Sequence, residues 1–169
     1  MSDGISHEDL VQGLSTSLKK LVESKGGKLM VGADAAKAAE MLLMSPGSWR
    51  AVVFWGGDTQ LGDNDQSPLV TCNLNIYVGY APGLPNASDK AMLRASGNRP
   101  SLLSLTNTVR KRVLALLFPE DTTSVNLRYA GANQLVTVDG APLSAFQMNF
   151  QLDYAPEVDE PEQVEISSQ

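Results

Sequence analysis

The chain has few residues of the types that carry chemistry. It contains one cysteine, Cys72, and one histidine, His7, among 169 residues. A single cysteine excludes an internal disulfide, and a lone histidine has no second histidine with which to build a metal site. Cys72 lies on the apolar side of an alternating segment, so we expect a buried, unreactive thiol. His7 lies near the start of the first expected helix, where we expect a surface residue.

Sequence motifs of known catalytic and cofactor sites are absent as well. There is no GxGxxG, Walker loop, GxSxG, CxxC or HExxH. Asp58, Asp63 and Asp65 resemble the opening of a calcium loop, but the glycine and the later glutamate of an EF-hand are missing. We therefore interpret this stretch as an acidic surface loop, and we expect no enzymatic activity, no cofactor and no metal.

Long apolar runs are also missing. No stretch is long enough to cross a bilayer, and residues 1–5 do not open a signal peptide, so we expect no membrane association. The hydrophobic fraction of 43% is ordinary for a globular protein, and 169 residues suffice for one domain with a real core.

Charge is distributed unevenly along the chain. The formal net charge is −6, and residues 155–169 contribute five acidic residues without a base. The other 154 residues carry 14 acidic and 13 basic residues, a balance that argues neither for nor against nucleic-acid binding. We predict one domain over residues 1–154 and an acidic C-terminal tail over 155–169, disordered or ordered only upon binding.

Two segments alternate between apolar and polar residues, as strands do when one face is buried. The sequence predicts a strand over 70–80 and a hairpin around the Asp139-Gly140 turn, with its second strand over 146–154. A further strand is predicted over 49–55, which reads WRAVVFW. The polar positions are rich in amides: Asn73, Asn75, Gln147, Asn149 and Gln151.

Three stretches have helical periodicity. The first begins at the N-cap Ser6, with Asp9 completing a variant of the capping box, and ends at Gly26-Gly27. The second follows Asp34, and the third follows Ser101. The resulting order, ααββαββ, predicts an α+β domain: a four-stranded antiparallel sheet with amphipathic helices packed on one face. Residues 110–112 form a small basic cluster on the third helix, which we interpret as solvated helix surface.

Two loops and their flanking aromatics are the best candidates for an interface. Segments 56–68 and 81–100 are long connections, which are usually functional. Trp is enriched at binding hot spots, although core positions for Trp49 and Trp55 remain an alternative. The candidate subunit or tube interface comprises Trp55, Gly56, Gly57, Asp58, Tyr80 and Pro82.

The chain as a whole resembles the tail terminator (tail completion) proteins of long-tailed bacteriophages. The resemblance covers residues 6–154 and has three parts. They are the N-terminal amphipathic helix ahead of VVFWGG, the amphipathic helix LLSLTNTVRKRVLALLF, and the hairpin that ends in FQMNFQLDY.

This resemblance implies a virion protein at the head–tail junction, assembled in the cytoplasm of the bacterial host. Such proteins form a homo-oligomeric ring, usually a hexamer, on the last ring of the tail tube. They stop tube polymerisation and present a surface to head-completion or connector proteins, while DNA passes through the lumen without sequence-specific binding. The family has no catalytic residues to carry over.

Three other interpretations remain open at the sequence level. A head–tail connector or neck protein would share the virion location. A small ligand- or peptide-binding module would hold its ligand on the amides Asn73, Asn75, Gln147 and Asn149. An enzyme would need carboxylates from separate segments, such as Asp58 and Asp139, which nothing in their spacing brings together.

Overall fold

A computed structural model describes residues 6–44, 49–60, 70–80, 100–116, 126–138 and 141–154. Within these ranges no helix is long and apolar enough to cross a membrane. The helices are α1 (His7–Ser24), α2 (Ala35–Leu43) and α3 (Leu102–Leu114), and the strands are β1 (Lys28–Val31), β2 (Arg50–Gln60), β3 (Val70–Tyr80), β4 (Asn126–Val138) and β5 (Ala141–Tyr154).

The five strands form one mixed sheet in the order β1-β2-β3-β5-β4. β1 pairs with β2 in parallel, with Lys28 opposite Arg50, and the three other pairings are antiparallel. The prediction of a four-stranded antiparallel sheet was therefore wrong. The missed strand, β1, is only four residues long, too short to show a period, and α2 forms the crossover that a parallel pair requires.

The helices α1 and α3 cover one face of the sheet, as predicted for the first and third helices. α1 contributes its buried stripe of Leu10, Leu14, Leu18 and Val22. α3 contributes Leu102, Leu105, Val109 and Val113. They pack on inward-facing strand residues that include Cys72, Leu74, Ile76, Met148, Phe150 and Leu152.

The helix α2 packs on the opposite face, so the prediction that the helices share one face was wrong. Ala38, Ala39 and Leu42 form a second, smaller core with Val52, Phe54, Tyr77 and Ala145. The cause lies in β2, where the four consecutive residues 51–54 are all buried. A strand that is apolar on successive positions is buried on both faces.

The predicted helix caps are confirmed. Ser6 Oγ accepts a hydrogen bond from the Asp9 N–H, and Asp34 and Ser101 cap α2 and α3 in the same way. α1 ends in a Schellman motif. Gly26 has φ +73°, and the N–H groups of Gly26 and Gly27 donate to the carbonyls of Glu23 and Val22.

Trp49 fixes the end of α1 against the start of β2. Its Nε1 donates to the carbonyl of Lys25 at 2.9 Å, and a Cβ at Gly27 would lie 2.2 Å from its ring. Gly27 is therefore required for close packing, and Trp49 belongs to the fold of the domain.

The predicted hairpin is confirmed as β4 and β5, which pair from Asn126–Asp153 to Val138–Ala141. Two register shifts interrupt this pairing, one between Tyr129 and Gly131 and one between Leu135 and Thr137. Bulges of this kind are typical of edge strands. Within the described ranges, β1 and β4 are the two edges of the sheet.

Candidate interface site

A bulge in β2 sets the geometry of the candidate site. Trp55 lies opposite Leu74 and Asp58 opposite Cys72, so Gly56 and Gly57 together oppose the single residue Asn73. Both glycines are required there. Gly57 has φ +99°, and a Cβ on Gly56 would lie 1.9 Å from Nδ2 of Asn75. The Asn73 amide stabilises the bulge, since its Nδ2 donates to the Gly57 carbonyl at 3.0 Å.

The bulge places Trp55 and Asp58 on the same side of the sheet, next to the first residue of α1. His7 Nε2 lies 2.6 Å from Asp58 Oδ2, and the His7 and Trp55 rings stack at a centroid distance of 4.8 Å. Trp55 Nε1 donates to Asp58 Oδ1 at 3.3 Å. We call these three residues the Trp55 cluster. Each contacts the other two, so the cluster is tied together internally.

The Trp55 cluster is open to solvent. Trp55 is 40% exposed, although it is among the largest apolar side chains of the chain, and the His7 side chain is 42% exposed. A half-exposed tryptophan whose ring is held in place loses little further freedom on binding, which is the property of an interface anchor.

Cys72 lies beneath the cluster and is fully buried, as predicted. Burial, followed by the nearby charge of Asp58, raises the pKa of the Cys72 thiol to about 12. A thiol that stays protonated at neutral pH is a poor nucleophile.

The structure brings four of the six predicted interface residues together and separates a fifth. Trp55, Gly56, Gly57 and Asp58 form the bulge. Tyr80 lies at the other end of β3, six residues beyond Leu74, which corresponds to about 20 Å along a strand. Pro82 lies outside the described residues.

The amide-rich positions form a hydrogen-bonded network on the sheet face opposite α1 and α3. Thr71 Oγ1 donates to Asp153 Oδ1 at 2.7 Å, and Arg128 pairs with Asp153 at 2.7 Å and with Gln151 at 3.1 Å. Gln147 donates to Asn149 at 3.0 Å. Asn75 is 8% exposed. These amides are engaged with one another and with the backbone, which weakens the interpretation that they hold a ligand.

Asp63, Asp65 and Asp139 lie outside the described residues. Across the described ranges, no group of three or more His, Cys, Asp or Glu side chains is placed to hold a metal ion.

His7 is the residue that sequence reasoning missed. It was expected on the surface, and it is half-exposed, but nothing in the sequence links it to a bulge 48 residues away. Its position follows from the Ser6 cap, which starts α1 at His7.

No family model matches the sequence, and no curated protein sequence matches it.

Proposed function

We propose that the protein is a structural virion subunit that forms a ring at the head-proximal end of a bacteriophage tail tube. In this role it stops tube polymerisation and offers a surface for head attachment. The observation that carries the proposal is the Trp55 cluster, an exposed aromatic surface in which Trp55, His7 and Asp58 hold one another in place. An exposed tryptophan held in this way suits a protein contact.

The arrangement of the sheet supports an assembly of identical subunits. The strands β1 and β4 form the two opposite edges of the sheet. They run in opposite directions, as the pairing along the sheet requires. Contacts between different edges of neighbouring copies are head-to-tail, and such contacts generate rings when the rotation closes. A ring would also cover sheet edges that are exposed in the monomer.

The charge balance supports a lumen through which DNA slides. Residues 1–154 have nearly equal numbers of acidic and basic residues. Binding of DNA through its phosphates needs several Lys or Arg contacts, and each of them slows release at low salt. A near-neutral body provides passage without tight binding.

The proposal is tested by tube capping. Purified protein is added to growing tubes of the tail-tube protein from the same phage, and tube length and end-bound density are measured by electron microscopy. We expect the protein to cap tubes and limit their length, and Trp55→Ala to lose most of this activity. Met44→Ala is the matched control, because Met44 is 69% exposed at the C-cap of α2, the helix that packs on the opposite face of the sheet.

Two results would contradict the proposal. One is a protein that never binds tube ends at any concentration. The other is a Trp55→Ala variant that is folded and caps tubes as well as Met44→Ala does. Binding to the portal-side proteins with no binding to tubes would instead support a connector or neck protein.

A further inference from the structure

The outer surface of α3 combines exposed leucines with positive charge. Leu103 and Leu114 are 44% and 46% exposed. They lie eleven residues apart, close to three full turns, so they project from nearly the same side of the helix about 16 Å apart. Lys111 lies beside them on the exposed side, and Arg112 is exposed on the opposite flank, about half a turn around the helix from Leu103.

The basic residues of α3 have no acidic partner within the described ranges. The salt bridges found there join His7 with Asp58, Lys37 with Glu40, and Arg128 with Asp153. Arg110 instead donates to Asn107 Oδ1 at 2.7 Å and lies 5.4 Å from the centre of the Tyr129 ring. α3 itself contains no Asp or Glu. Its outer surface is therefore suited to a ligand that supplies both carboxylates and apolar side chains.

The C-terminal tail, residues 155–169, has this composition. It carries Glu157, Asp159, Glu160, Glu162 and Glu165 without a base, and Val158, Val164 and Ile166 are interleaved with these acids. The two surfaces are complementary in charge and in apolar content. Negative charge alone or apolar content alone would be common in a short segment. A segment that matches Leu103, Lys111 and Leu114 needs both.

The tail also begins close to α3. Arg110 packs over Tyr129, and Tyr129 lies opposite Phe150 of β5. The described part of β5 ends four residues later at Tyr154, about 13 Å along the strand. Fifteen residues span up to about 50 Å when extended. The tail therefore reaches the whole length of α3 within one chain, and the connection gives it a high effective concentration there.

We propose that residues 155–169 bind along the outer surface of α3 of the same chain. The carboxylates pair with Lys111 in the middle of the outer surface and with Arg112 on its far flank, and the interleaved Val and Ile side chains contact Leu103 and Leu114 on the near flank. The bound tail covers the basic residues of α3 and shields them from phosphate groups. This inference rests on α3 and the tail alone, so it stands or fails independently of the proposed ring.

The test uses the full chain with a nitroxide spin label on Ser168→Cys, since the native Cys72 is buried. Amide signals in nuclear magnetic resonance spectra report which residues lie near the label. At low salt we expect selective loss of signal on the outer side of α3. At 1 M salt, where the screening length falls to about 3 Å, we expect most of this loss to disappear.

Two variants separate this contact from a general effect of charge. Lys111→Glu with Arg112→Glu should abolish the signal loss on α3. The matched control, Lys19→Glu with Lys20→Glu on the exposed side of α1, makes the same change in net charge and should preserve it. Should the α3 variant fail to fold, the tail is neutralised instead by Glu157→Gln, Asp159→Asn, Glu160→Gln, Glu162→Gln and Glu165→Gln, and the same loss of contact is expected.

Three outcomes would overturn the inference. The first is a weak and uniform loss of amide signal with no preference for α3. The second is a loss of signal on α3 that persists in the α3 variant or in the neutralised-tail variant. The third, in a mixture of labelled and unlabelled chains, is a loss of signal found only on the unlabelled chain. Binding of duplex DNA with equal affinity to the native chain and the neutralised-tail variant would also contradict it, since the tail would then not shield α3.

Discussion

Cys72 shows how a single residue can be judged from both sequence and structure. The alternation of residues 70–80 predicted that the thiol faces the core, and the structure places it there at 0% exposure. Its proximity to Asp58 and, through Asp58, to His7 could not be predicted, because the β2 bulge that moves Asp58 to this side depends on Gly56 packing against Asn75 and on Gly57 adopting φ +99°.

The buried thiol gives a prediction about pH. The unfolded thiol ionises near its ordinary pKa of 9.0, whereas burial raises the pKa of Cys72 in the folded chain to about 12. Between these values the folded state binds more protons than the unfolded state, so the free energy of unfolding contributed by this group falls as pH rises from 9 to 12. Denaturant titrations at pH 8 and pH 11 measure the fall.

Cys72→Ala provides the control, because it removes the thiol and leaves every other titrating group in place. The native chain should lose more stability than Cys72→Ala between the two pH values. A thiol reagent at pH 8 should modify the native protein only after unfolding. Rapid modification of the folded protein would show that the thiol is accessible and would contradict the account.

At the scale of elements, the periodic segments were predictable and the short or non-local ones were not. α1, α3, β3 and β5 carry long periodic patterns, and their caps are visible in the sequence. β1 is four residues long, and its parallel pairing with β2 is a non-local contact that no local pattern specifies. The lack of alternation in residues 51–54 was the available signal that α2 covers the second face.

Arg50 tests the position of α2. This residue is 5% exposed, and its Nη1 donates to the carbonyls of Met41 at 2.7 Å and Leu42 at 3.4 Å, at the C-terminus of α2. We expect Arg50→Ala to lower the free energy of unfolding by about 1–3 kcal/mol, because it leaves buried carbonyls without a donor. Urea titration measures the change.

Arg128→Ala is the matched control, since Arg128 pairs with Asp153 on the exposed sheet face. Pairs of this kind contribute about 0–1 kcal/mol. Equal losses in the two variants would show that Arg50 does not hold α2 in the position described.

At the scale of the whole molecule, the candidate interface was partly predictable. Four of its residues are contiguous in the sequence, so their residue types alone predicted them as one group: Trp55, Gly56, Gly57 and Asp58. Tyr80 was grouped with these residues because of its residue type. Six residues of β3 separate Tyr80 from Leu74, the residue opposite Trp55. α1 contributes His7 to the Trp55 cluster, and this contact arises only when α1 packs across the sheet.

The edges of the sheet bear most directly on assembly. β4 is 13 residues long and carries two bulges, and β1 is short and begins with the exposed Lys28. Bulges, short strands and exposed lysines at a sheet edge all limit nonspecific pairing with other strands. A subunit of a specific ring needs such protection before it meets its neighbours.

The central claim, that the protein assembles as a ring, is tested most directly by its solution mass. Light scattering after size exclusion is performed over a concentration series, with and without tail tubes. We expect the mass of a closed ring, or a monomer that becomes a ring only when tubes are present. A monomer at every concentration, unchanged by tubes, would contradict the claim.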